Sequence, residues 1–184
     1  LIYRFSPSQA LMMQSIGHYW EWASLYCCGS RNGAGKVMGL AALGEEINSN
    51  EEDILTINDD GEIKLDFCKI NEIYNEPNIF VSDLSNSKHH QDLAKRVQLE
   101  TENVILKLLN ILKKRFPSDN LYLSGGVALN VVANERIKKS KLFKKIILNG
   151  SVEDNGIAIG AGIAANISMG FERKVSRITD FYGR

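Results

Sequence analysis

Two stretches late in the chain repeat one pattern, and that pattern restricts the possible fold more than any other feature. Residues 120–134 read NLYLSGGVALNVVAN, and residues 144–163 read KKIILNGSVEDNGIAIGAGI. In each, a short apolar run rich in β-formers stops at small polar or glycine residues, and a segment of helical character begins at once. The pattern predicts strand, tight loop and helix twice over. Crossovers of this length require parallel strands with helices covering the sheet. Ligands of such sheets bind at the carboxyl ends of the strands, where both loops fall. The opening N–H groups of each helix lack partners inside it and the helix dipole favours negative charge, so either junction can hold phosphate. Gly125 and Gly126 leave the main chain open to a ligand, because neither carries a Cβ.

The preceding chain supplies the rest of an α/β pattern. Residues 1–5 alternate as a half-buried strand, and Ser6-Pro7-Ser8 ends it. Leu11, Met12, Ile16, Tyr19, Trp20 and Ala23 form one stripe, which predicts a helix over residues 9–26. A glycine-punctuated loop over 28–35 follows, then a short helix over 36–43 closed by Gly44. Residues 45–53 read as a surface connection. Residues 54–58 and 62–67 read as a hairpin turning at Asp59-Asp60-Gly61. Residues 68–88 lack a sustained period and read as irregular, with room for one short helix. Leu93, Val97, Val104, Leu108, Ile111 and Leu112 mark a long amphipathic helix over 89–116, which Pro117 ends. The sum is a mixed sheet with helices on both faces, 128–140 on one side and 156–169 on the other.

Length and charge narrow the function classes. At 184 residues the chain reads as a single domain, 1–184, able to bury a real core. Lys+Arg and Asp+Glu number 22 each, a balance that argues against a nucleic-acid partner. The basic run over 138–145 reads as a solvated helix end complementing the C-terminal dipole. Cys27, Cys28 and Cys68 have neither disulfide nor zinc spacing, which fits a reducing, cytoplasmic compartment. No apolar run approaches the ~18 residues of a membrane span. The chain opens on Leu1 inside a strand-like run, so a piece of a longer protein is expected.

Several residues can carry chemistry. Gly125-Gly126 is either a tight turn needing positive φ or a ligand-binding loop. Asn130, placed about a turn into the following helix, points back toward that loop and can hydrogen-bond a ligand held there. Asp154 is either the N-cap of a very apolar helix or a carboxylate facing the same crevice, ready for a metal ion or a ligand hydroxyl. His18, His89 and His90 show no i, i+4 ligand spacing, so any metal site on this chain rests on Asp154.

Five segments taken together resemble a known family. They are Ser15-Ile16-Gly17-His18-Tyr19; GKVMGLA over 35–41; His90-Gln91-Asp92-Leu93-Ala94 with Gln98; SGGVALN over 124–130 with Ala133-Asn134; and DNGIAIGA over 154–161. In order and spacing they resemble the O-carbamoyltransferases of nodulation-factor and antibiotic biosynthesis, from Ser15 to about Ala165. The resemblance implies an actin, Hsp70 and sugar-kinase type of fold, whose two ribonuclease-H-like halves clasp a nucleotide, with this chain as the second half. It implies ATP against Gly125, Gly126 and Asn130, and a divalent metal, iron, on Asp154 with histidine ligands from the missing N-terminal half. A further domain resembling the Sua5/YrdC family is expected to make carbamoyl adenylate from carbamoyl phosphate and ATP. The resemblance implies a hydroxyl-bearing small molecule as acceptor. Ala34 departs from the acidic residue that usually precedes the Gly-Lys pair, which puts the role of Lys36 in doubt. Three other expectations compete: a sugar kinase, a tRNA threonylcarbamoyl transferase, or a non-catalytic nucleotide-binding domain. Surface left by the absent half is expected to favour a homodimer.

Overall fold

The computed structural model describes residues 13–46, 52–74, 87–148, 152 and 154–171; the strand expected over residues 1–5 lies outside them. Six helices and two small sheets make a mixed α/β arrangement among these residues.

Helix α1 runs Ile16–Cys28, later than the expected start at residue 9, since residues 13–15 are not helical. The Ser15 hydroxyl caps it, accepting the His18 backbone N–H at 3.2 Å. Such a cap contributes about 1 kcal/mol, which is why the helix begins there. Gly29, at φ 65°, ends it. Helix α2, Ala34–Ala41, opens two residues before the expected boundary, because the Gly33 carbonyl accepts from both Lys36 and Val37. Nor does Gly44 close it; Ala42 does. A Cβ on Gly44 would stand 2.1 Å from the Gln91 carbonyl oxygen, so this glycine serves close packing against a neighbouring helix.

Strands β1, Leu55–Ile57, and β2, Ile63–Leu65, form the expected antiparallel hairpin, with Leu55 opposite Leu65 and Gly61 at φ 91°. The Asn58 side chain accepts the Asp60 and Glu62 N–H groups and shapes the turn. Helix α3, Phe67–Tyr74, takes the first part of the stretch read as irregular. Asp66 starts it by accepting from the Cys68 and Lys69 N–H groups.

The 28-residue helix α4, Lys88–Arg115, is the spine of the molecule. One stripe, carrying Leu93, Ala94, Val97 and Val104, enters the core with Tyr19, Trp22, Ala23, Val37, Leu55 and Ile70. Glu100 lies inside that core and is fully satisfied there. It accepts from Tyr19 Oη at 2.8 Å, from the Leu55 N–H at 2.9 Å and from Arg96 Nε at 2.8 Å. Burial, then the Glu100 carboxylate, holds the Tyr19 phenol well above its ordinary range, so it stays a donor. Trp20 Nε1 donates to Thr101 Oγ1 at 2.9 Å, a second polar tie between α1 and α4.

Both late units form. Strands β3, Asn120–Leu123, and β4, Lys145–Leu148, pair in parallel, with Tyr122 opposite Ile147. A 3₁₀ turn over Gly126–Leu129 and helix α5, Val131–Lys139, follow β3, and α6, Asp154–Ser168, follows β4. Two departures stand out. Among the described residues the strands form two two-stranded sheets and no single mixed sheet. Helix α5 joins α4 through Arg136, which donates to Glu102 and Asn103, but α6 is exposed along nearly its whole described length.

Candidate functional site

A cleft of about 670 Å³ lies where the first half of the chain meets the glycine loop. That volume falls in the ~300–1,000 Å³ range of small-molecule sites. Helix α1 contributes Gly17, Trp20 and Glu21, and the α1–α2 loop contributes Arg31 and Asn32. Ala34, Gly35 and Met38 come from α2, and Gly126, Val127, Leu129 and Asn130 from the turn after β3. Segments more than ninety residues apart in sequence, as Gly35 and Gly126 are, thus share one wall. A Cβ at either of those two glycines would meet nothing within 4 Å, so a ligand can reach the main chain at both places.

The loop geometry follows from its residues. Gly125 has φ 90° and ψ 164°, a conformation essentially reserved for glycine. Its N–H donates to the Val152 carbonyl at 2.9 Å, which ties the loop after β3 to the segment leading into α6. Both strand–helix junctions therefore meet at one end of the parallel pair. The backbone of Asp154 begins α6 there; its side chain is outside the described residues.

Asn130 differs from its expected place. It is not inside a helix: the 3₁₀ turn ends at Leu129, and Asn130 is the N-cap of α5. Its Oδ1 accepts the Ala133 N–H at 3.0 Å and the Gln98 Nε2 at 3.2 Å, while its Nδ2 donates to Gln98 Oε1 at 3.0 Å. This amide pair is buried and fixes the loop against α4. Gln98 also donates to Glu102 at 2.7 Å, Glu102 accepts from Arg136 at 2.9 Å, and Asn134 Nδ2 donates to the Ala128 carbonyl at 2.7 Å. Sequence reading missed the parts played by Glu102 and Arg136. Their one signal was position: Glu102 stands four residues after Gln98, one helical turn along the same face.

The remaining candidates scatter. Lys36 is exposed and does not line the cleft, although its neighbour Gly35 does. His18 is occupied with Ser15, Nδ1 to Oγ 2.8 Å. His89 meets Tyr26 Oη at 2.9 Å, and His90 is buried against the Tyr26 ring. Among the described residues no group of three His, Cys, Asp or Glu side chains is placed to hold a metal. Nor is any described helix long and apolar enough to cross a membrane. In the basic run, Lys139 pairs with Glu135 and Lys144 with Asp119, consistent with a solvated helix end.

The class the fold defines is a mixed α/β domain in which the turn after one parallel strand faces α1 and α2 across a cleft. The sequence assigns it further: the chain belongs to the carbamoyltransferase N-terminus family, whose sequence model matches residues 3–163. Relatives include the uncharacterised protein sll1178 of Synechocystis, 32% identical over 147 residues, 72% of this chain and 24% of that protein. Nodulation protein NolO of Bradyrhizobium diazoefficiens is 28% identical over 96 residues, 52% of this chain and 18% of the relative. Nodulation protein NolNO of Sinorhizobium fredii is 24% identical over 150 residues, 80% of this chain and 22% of the relative. The chain thus spans a quarter or less of the length of these relatives.

Proposed function

We propose that the protein containing this chain is an ATP-dependent O-carbamoyltransferase, and that the chain is one ribonuclease-H-like half of its nucleotide-clasping domain. The observation that carries the reading is the cleft, where residues of three family-like segments, SIGHY, GKVMGLA and SGGVALN, line one wall. Apolar Trp20, Met38, Val127 and Leu129 suit a flat base, and the open main chain at Gly126 suits a phosphate. Gly125 and Gly126 hold the nucleotide in this reading, and Asn130 acts by fixing their loop.

The reaction transfers a carbamoyl group from carbamoyl adenylate, made from carbamoyl phosphate and ATP, to a hydroxyl of a sugar-containing or antibiotic-like acceptor. The acceptor oxygen bonds to the carbamoyl carbon and gives up its proton to solvent, the bond from that carbon to the adenylate phosphate oxygen breaks, and AMP departs with the electron pair. N–H groups at a helix start stabilise the departing phosphate. Asp154 is proposed as one ligand of a divalent metal, iron, whose other ligands lie outside this chain.

The test is a carbamoylation assay of the full-length protein with carbamoyl phosphate, ATP and hydroxyl acceptors, following AMP release and product mass. Activity lost in Asp154→Ala supports the reading. Transfer of phosphate to the acceptor in place of carbamoyl would overturn it. The 184-residue chain alone is expected to be inactive, because a single carboxylate does not hold a metal at useful affinity; carbamoyl product from the purified chain would contradict this.

A further inference from the structure

The loop between α1 and α2 delivers a cation to the cleft that none of the family-like segments contains. Among the described residues lining the cleft, Arg31 is the only cationic side chain and Glu21 the only anionic one. They pair through a single contact, Arg31 Nη1 to Glu21 Oε1 at 2.9 Å, with side chains 56% and 32% exposed. An ion pair this exposed is held weakly and exchanges partners easily. Within the described residues the Nε and Nη2 groups of Arg31 make no hydrogen bond. Those two groups form an edge of the planar guanidinium that matches two phosphate oxygens at once.

The other cleft residues fix what the anion is attached to. Trp20, itself oriented by its bond to Thr101, and Met38 offer an apolar wall too large for inorganic phosphate alone. Lys36, the other cation nearby in sequence, does not reach the cleft. We infer that Arg31 recognises the phosphate chain of the nucleotide. This rests on the nucleotide reading of the cleft given above and adds to it the residue that distinguishes a nucleotide from a nucleoside.

The experiment is calorimetric titration of the full-length protein with ATP and, separately, with adenosine. Arg31→Ala is expected to weaken ATP about tenfold or more and to leave adenosine within about twofold. Arg31→Lys is expected to recover part of the loss, because a lysine keeps the charge but not the fork. Glu21→Gln is expected to bind ATP as tightly as the wild type or more tightly, since it removes a negative charge from the cleft. Both side chains are substantially exposed, so circular dichroism is expected to show all three variants folded. Unchanged ATP affinity in Arg31→Ala overturns the assignment and leaves the nucleotide reading standing. Wild-type protein that binds neither ATP nor adenosine overturns both.

Discussion

Gly125 and Gly126 are adjacent, yet their backbones ask different things of them. At φ 90° Gly125 sits where an L side chain is strained, so Gly125→Ala is expected to cost ~1–2 kcal/mol in a urea melt. Gly126 has no such angle and open space at its Cβ position. Gly126→Ala is therefore expected to stay within about 0.5 kcal/mol of wild type while placing a methyl in the cleft and weakening ATP. Equal stability losses in the two variants would contradict this separation. Cysteine reactivity gives a second test at this scale. Burial pushes the Cys27 thiol up to about 12, whereas Cys68 is exposed. At pH 8 Cys27 is thus almost wholly protonated, and a thiol reagent is expected to modify Cys68 and reach Cys27 only on unfolding. Rapid modification of Cys27 in the native protein would sink that expectation. The glycine pair could be read from sequence as a loop, but which glycine carries the strain could not, because φ is set by the bond from Gly125 to Val152 in another unit.

Among the elements, α4 bears most of the packing and shows why a periodic stripe is only part of a helix's content. Its apolar residues were legible from their spacing. The buried Glu100 was not, since a glutamate on a long helix ordinarily reads as a solvated position. Here it receives Tyr19, the N–H groups of Ile54 and Leu55 and Arg96, so one carboxylate joins α1, the start of β1 and α4. Glu100→Ala leaves those donors buried and unpaired, and a loss of ~3–5 kcal/mol is expected by chemical denaturation; a loss under about 1 kcal/mol would show that water replaces the carboxylate. Helix boundaries were the other gap. Ser15, Gly33, Asp66 and Asn130 each decide where a helix starts through specific cap bonds, and apolar spacing does not register these.

At the scale of the molecule, the two ends of the chain are unequal. The first part and α4 enclose the core, whereas the parallel pair, α5 and α6 leave Tyr122, Val131, Ile157 and Ile167 more than half exposed. Large apolar side chains this open favour association. The 184-residue chain by itself is expected to self-associate, with light scattering showing a mass that rises with concentration. A constant monomer mass at high concentration would show that this surface tolerates water.

What the sequence determined by itself was the set of units: strand–loop–helix twice, a hairpin at Asp59-Asp60-Gly61, a long helix ending before Pro117, and segments resembling a carbamoyltransferase. These are local, because period, turn chemistry and motif spacing are properties of neighbouring residues. Only the tertiary structure decided that the α1–α2 loop and the glycine turn share a cleft, that Asn130 braces that turn through Gln98, and that Arg31, not Lys36, reaches the cleft. Those facts depend on contacts between residues that are distant in the chain, and no local pattern records which distant side chain completes a hydrogen bond or lines a wall.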